Sequence, residues 1–143
     1  MARSTTQPLY ETDFALWADQ TAELIRAGRF EDVDLENVAE EIQDLSRRTQ
    51  EALGSQLRRI MVHRLKIRNQ PQMHLRRWDL SIRDAGIAAR KILSENPSLR
   101  RRVPELILEE YQRARIKAAI QTGLDLEAFP GECPFRPSDV LEN

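Results

Sequence analysis

Between Asp34 and Arg68 the apolar residues Leu35, Val38, Ile42, Leu45, Ala52, Leu57, Ile60 and Leu65 recur at helical steps, with no proline and a single glycine, Gly54. This spacing predicts one amphipathic helix of about 35 residues, about 50 Å long. An ordinary globular helix has about 11–12 residues, so this one is the spine along which the rest must pack.

On either side the pattern predicts shorter helices. Thr12 or Asp13 is a good N-cap for a helix over 13–28, with Phe14, Trp17, Thr21, Leu24 and Ile25 on one face and Gly28 as its stop. Asp34 caps the spine, and Val33 and Val38 stand at the positions of a hydrophobic staple. Arg68-Asn69-Gln70-Pro71 ends it. A third helix spans about 74–94, with Leu75, Trp78, Ile82, Ala85, Ala89 and Ile92 in steps of three and four. Asn96 is a cap with Pro97 at the first helical position, Leu99–Val103 makes a turn or short helix, and Pro104 opens a fourth helix that Gly123 stops near Thr122. In that helix Ile107, Leu108, Tyr111, Ala114, Ala118 and Ile120 are available for burial. Residues 1–9 lack periodicity and read as a flexible arm. The tail over 124–143 is too rich in proline for regular structure, and its Leu126, Phe129, Phe135 and Leu141 suit a strap across the helices.

The expected fold is all-α, a single domain over 1–143: an up-and-down four-helix bundle on one long helix, closed by a proline-rich C-terminal strap. With the second turn centred near Gln70, His63 faces Trp78 across the hairpin and Arg59 falls level with Ile82.

Composition narrows the class. The single cysteine, Cys133, excludes an intrachain disulfide framework and suits a reducing cytoplasm. No signal peptide is visible and no stretch approaches the roughly 20 apolar residues of a membrane span, so a soluble cytoplasmic protein is expected. The net charge of −1 conceals a segregation. Residues 1–45 carry eleven acids against three arginines, and residues 103–143 eight acids against four bases. Residues 46–102 hold thirteen arginines and two lysines against four acids. A basic block therefore lies between two acidic ones.

Several groups of residues together look familiar. Leu9-Tyr10-Glu11, Asp13-Phe14 and Trp17 are followed by Arg29-Phe30-Glu31, Asp34, Glu36-Asn37 and Glu40-Glu41-Ile42. Then come His63-Arg64-Leu65-Lys66, Gln70-Pro71, Trp78, Ile82 and Asn96-Pro97-Ser98-Leu99-Arg100. Thr122-Gly123-Leu124, Phe129-Pro130 and Cys133-Pro134 complete the set. Across nearly the whole chain this resembles a bacterial family catalogued as domain of unknown function twenty-nine. Leu35 stands where the family often has an aromatic, and Phe135 where it has tyrosine. The resemblance implies a helical fold and brings no activity, substrate or cofactor.

Three chemistries compete for the candidate residues. Glu36, Glu40, Glu41 and Asp44 are the densest carboxylate cluster, but His63 lies 22 residues, about 33 Å, beyond Glu41 on the same helix. No Glu-x-x-His motif is present, so no metal or cofactor is expected, and the acids suit the helix macrodipole and pairing with arginines. His63, Lys66, His74 and Trp78 form the candidate polar site, joined by Asn37, Glu40 and Glu41. There His63 would serve as acid or base if the protein were an enzyme. Arg48, Arg59 and Lys66 on the spine, and Arg76, Arg83 and Arg90 on the third helix, are candidate phosphate contacts for nucleic acid. Against this stand a pI near 6.2 and the position of Asp79 between Arg76 and Arg83. Acidic helix one and the acidic last helix are the natural partners of the remaining arginines.

The leading expectation is a non-enzymatic protein-interaction module. A long helix that overhangs shorter neighbours exposes apolar surface for another protein chain, most simply a second copy in a homodimer.

Overall fold

The structure is a computed structural model that describes residues 7–141. Among them there are helices and no strands, so the fold is all-α on one long helix, as expected. The six α-helices are α1 (Gln7–Thr12), α2 (Phe14–Arg26), α3 (Leu35–Asn69), α4 (Arg76–Glu95), α5 (Val103–Thr122) and α6 (Pro137–Val140). The residues group into two compact units that divide between Arg47 and Arg48. Helix α3 runs unbroken through Gly54 and past that division.

In the N-terminal unit the helix begins inside the expected arm, at Gln7, while residues 1–6 lie outside the described range. Asp13 separates α1 from α2 because its backbone leaves the helical region and its carboxylate accepts the Leu16 amide at 3.1 Å. Tyr10, Phe14 and Trp17, at helical spacing across that break, stack together. The Tyr10 and Trp17 rings meet edge-on at 4.8 Å, and Trp17 is buried. Gly28, at φ +72°, lets the chain reverse, so the Gly28 and Arg29 amides donate to the carbonyls of Ile25 and Leu24. Asp34 then caps α3 twice, accepting the Asn37 amide at 3.3 Å and its side-chain NH2 at 2.6 Å.

The C-terminal unit holds the main core. Leu53, Leu57, Ile60, Met61 and Leu65 of α3 are fully buried with Ala85 and Ala89 of α4 and Ala114 and Ala118 of α5. The alanine pairs, each at i,i+4, put small side chains on the buried faces of α4 and α5 within that cluster. The turns between helices are short 3-10 segments, Pro71–Met73 and Pro97–Arg102. Asn96 does not cap the second of these with its side chain; its amide group instead donates to the Ile92 carbonyl at 2.9 Å and closes the end of α4.

The tail is held carbonyl by carbonyl. Arg115 donates to Phe129 O at 3.2 Å, the Tyr111 hydroxyl donates to Pro130 O, and Gln112 donates to Gly131 O at 2.9 Å. A chain with few regular partners thus has three consecutive acceptors satisfied by one face of α5. Phe129 is buried, and Phe135 meets the Tyr111 ring edge-on. The tail is not wholly irregular: Leu126–Ala128 is a 3-10 turn, and Pro137 opens α6, where the Arg136 amide donates to Asp139 at 2.7 Å. Proline at the first helical position costs no hydrogen bond, so the residue that discouraged a helix in fact starts one.

Some of the expected core is surface. Leu35, Ile42 and Leu45 are each about 60% exposed, as is Leu108, while Ile120 is 76% exposed. The buried residues of α3 begin only at Leu53. Helices α4 and α5 have 20 residues each, about 30 Å, and cannot line a helix of 35. Urea unfolding should separate the two classes. Leu57→Ala is expected to cost about 2–5 kcal/mol and Phe129→Ala about 3–5, whereas Leu108→Ala stays within about 0.5 kcal/mol of wild type.

Candidate functional site

A surface cavity of about 290 Å³ lies within the C-terminal unit, lined from α3 and α5. Helical steps of three, four and seven bring Ser55, Gln56, Arg59, Val62 and His63 to one side of α3 over about two turns. Arg58 joins them, and α5 adds Lys117 and Gln121, one turn apart.

The cations of this cavity are treated unequally. Arg58 donates to Glu110 at 2.8 Å, and Arg113 takes the other carboxylate oxygen at 3.2 Å. Glu110 is buried and reaches this position over Gly54, where a Cβ would stand only 3.2 Å from its oxygen. Both oxygens of that carboxylate are therefore committed. Arg59 and Lys117 have no acid partner among the described residues.

Burial, followed by the positive charges of Lys66, Arg59 and Lys117, pushes the pKa of His63 down to about 4, so the ring is neutral at pH 7. Its Nδ1 is buried without a hydrogen-bond partner among the described residues, as is Gln56 Oε1. Ser55 is eight residues from His63, about 12 Å along the helix axis, too far for a hydroxyl–imidazole pair.

The other proposed neighbours separate. Lys66, not His63, lies over the Trp78 ring, with its ammonium 5.6 Å from the centroid. It is buried, its pKa lowered by that burial and by Arg77 and Lys117, and the aromatic face takes the place of an acid. Lys66 is therefore no member of a phosphate-tracking surface. His74 sits in the exposed turn and pairs with Asp79 at 2.7 Å, so Asp79 is engaged there rather than by the neighbouring arginines. Trp78 is core, as is Trp17. In the N-terminal unit Asn37 serves the cap of α3, and Glu40 and Asp44 hold Arg47. Glu41 accepts the Tyr10 hydroxyl at 2.6 Å, and this hydrogen bond to a carboxylate pushes the phenol up to about 12. Arg48, Arg76 and Arg83 are exposed, and the Arg90 guanidinium lies along its own helix against Gly86. Cys133 is a half-buried thiol, its pKa raised by burial, that donates to Phe135 O. Among the described residues no group of three metal-ligating side chains is assembled, and no helix is long and apolar enough to cross a membrane.

A family model described as "Domain of unknown function DUF29" matches residues 9–143. The chain belongs to the DUF29 family. No curated protein and no solved structure matches it.

In this DUF29 chain the side chains that sequence spacing missed include Ser55, Gln56 and Arg58 on α3 and Glu110, Lys117 and Gln121 on α5. Their signal was faint: Lys117 and Gln121 lie at i,i+4 among residues read only for their apolar neighbours. Nothing in local spacing ties them to a histidine more than fifty residues earlier.

The depressed pKa of His63 has a thermodynamic consequence. The unfolded chain takes up its proton near pH 6.5 and the folded chain only near 4, so protonation favours unfolding within that window. Its neutral state is fully accommodated above about pH 6.5, and stability falls as pH drops from there towards 4. Urea midpoints measured across this range should decline more steeply for wild type than for His63→Gln, and the two curves should run parallel above pH 7.

Proposed function

We propose that this chain is a non-enzymatic protein-interaction module that pairs with a second copy of itself through the first half of α3. The observation that carries the proposal is the exposure of Leu35, Ile42 and Leu45, each about 60%, at spacings of seven and three on one helix. These are the spacings of a helix-pairing seam, with Val38 at the intervening position. Phe30 and Ile25, 58% and 41% exposed, add apolar surface in the same unit. Scattered exposed leucines are ordinary; a periodic row of them on one helix is not.

The charges flanking this row are largely spent within the chain, Arg47 on Glu40 and Asp44 and Glu41 on the Tyr10 hydroxyl, and exposed ion pairs contribute only about 0–1 kcal/mol each, so the apolar row supplies the affinity. The lone thiol and the absence of a membrane-crossing helix among the described residues suit a cytoplasmic protein.

Light scattering after gel filtration at micromolar concentration is expected to give twice the 16.6 kDa chain mass. Ile42→Glu should return the single-chain mass while helical circular dichroism is kept. A wild-type protein that stays at the single-chain mass up to millimolar concentration would rule the pairing out.

A further inference from the structure

We infer that the cavity between α3 and α5 is a binding site for the phosphate group of a small phosphorylated molecule, held by Arg59 and Lys117 with His63 beside them. This is independent of the α3 pairing, since the site lies on the other unit and would remain if the protein were a monomer.

Exposed arginines and lysines on a protein surface commonly find an acid or spread apart. Here two come from separate helices to one cavity of about 290 Å³, together with a third whose acid is shared with Arg113. Among the described residues none of the groups lining the cavity is an acid. The neighbouring Lys66 adds a fourth positive charge with no carboxylate of its own among the described residues. Such an arrangement carries electrostatic repulsion that an anion relieves, and the same charges, after burial, lower the pKa of His63.

The shape selects a compact anion. The cations converge on an open surface cavity of a few hundred cubic ångströms, the scale of a small-ligand pocket, rather than running in a line as a nucleic-acid backbone requires. Arg59 offers a planar fork suited to two oxygens of one tetrahedral group, and Lys117 a point charge for a third. With Nδ1 of His63 buried, Nε2 is the ring nitrogen left to a ligand, and once protonated it donates to the anion. Ser55 and Gln121 on the lining supply neutral donors for the remainder of the molecule.

Proton NMR of the histidine rings tests this in the intact protein. The chain has only two histidines, and His74, held by Asp79 in the exposed turn, is the internal control. Inorganic phosphate, compared with chloride at equal ionic strength, should raise the pKa of His63 saturably from about 4 by roughly one unit, the size expected of an adjacent opposite charge, and leave His74 unmoved. Arg59 and Lys117 are exposed, so Arg59→Met and Lys117→Met preserve the fold. Each should raise the pKa of His63 in the free protein, by removing a repulsive charge, and abolish the response to phosphate. Equal titrations in phosphate and chloride would overturn the proposal, as would a phosphate response undiminished in both variants. A double-stranded oligonucleotide that moves His63 where free phosphate does not would also overturn it, in favour of nucleic-acid binding.

Discussion

The buried cluster that α3 shares with small residues of α4 and α5 is the constraint on which the C-terminal unit rests. Leu53, Leu57, Ile60 and Leu65 belong to it together with Ala85, Ala89, Ala114 and Ala118, all of them fully buried. A larger side chain at any alanine would push a helix axis outward, and a smaller one on α3 would leave a void. Gly54 extends the same principle to a polar group. Its missing side chain makes room for Glu110, and the buried carboxylate is tolerated because Arg58 and Arg113 each neutralise one oxygen.

That arrangement governs where charge is left over. The acidic and basic blocks of the sequence suggest pairing between distant helices, yet several of the ion pairs formed are local. Asp44 pairs with Arg47, Asp32 with Arg29 and Glu105 with Arg102, each three residues apart. A side chain three residues away is always within reach, whereas a partner on another helix must be delivered by the fold. Acids near the ends of the basic block are used up in this way, and Asp79 is taken by His74. Arg59 and Lys117 are left facing a common cavity, and their charges, after burial and Lys66, add to what keeps His63 neutral. The electrostatic character of the site is thus a product of helix packing that brought α5 alongside α3, not of any motif.

The exposed row on α3 has the opposite origin. Leu35, Ile42 and Leu45 belong to the same apolar periodicity as Leu57 and Ile60, and sequence spacing makes no distinction between them. The difference is one of length: the neighbouring helices of the core are 20 residues long, and burial on α3 starts only at Leu53. An amphipathic pattern states that a face seeks cover and does not state who provides it.

By itself the sequence determined the helical class, the four long helices to within about three residues, the caps at Asp13 and Asp34, and the stops at Gly28 and Gly123. Each of these is a local property, set by the 3.6-residue period or by one residue's backbone and side-chain chemistry, and so is written in adjacent letters. Tertiary structure alone decided that Lys66 rather than His63 covers Trp78, that Lys117 faces His63, and that the tail is bound through its carbonyls by α5. Those outcomes depend on the rotation of one helix against another. A rotation of a few tens of degrees replaces one set of neighbours by the next while leaving every local preference satisfied.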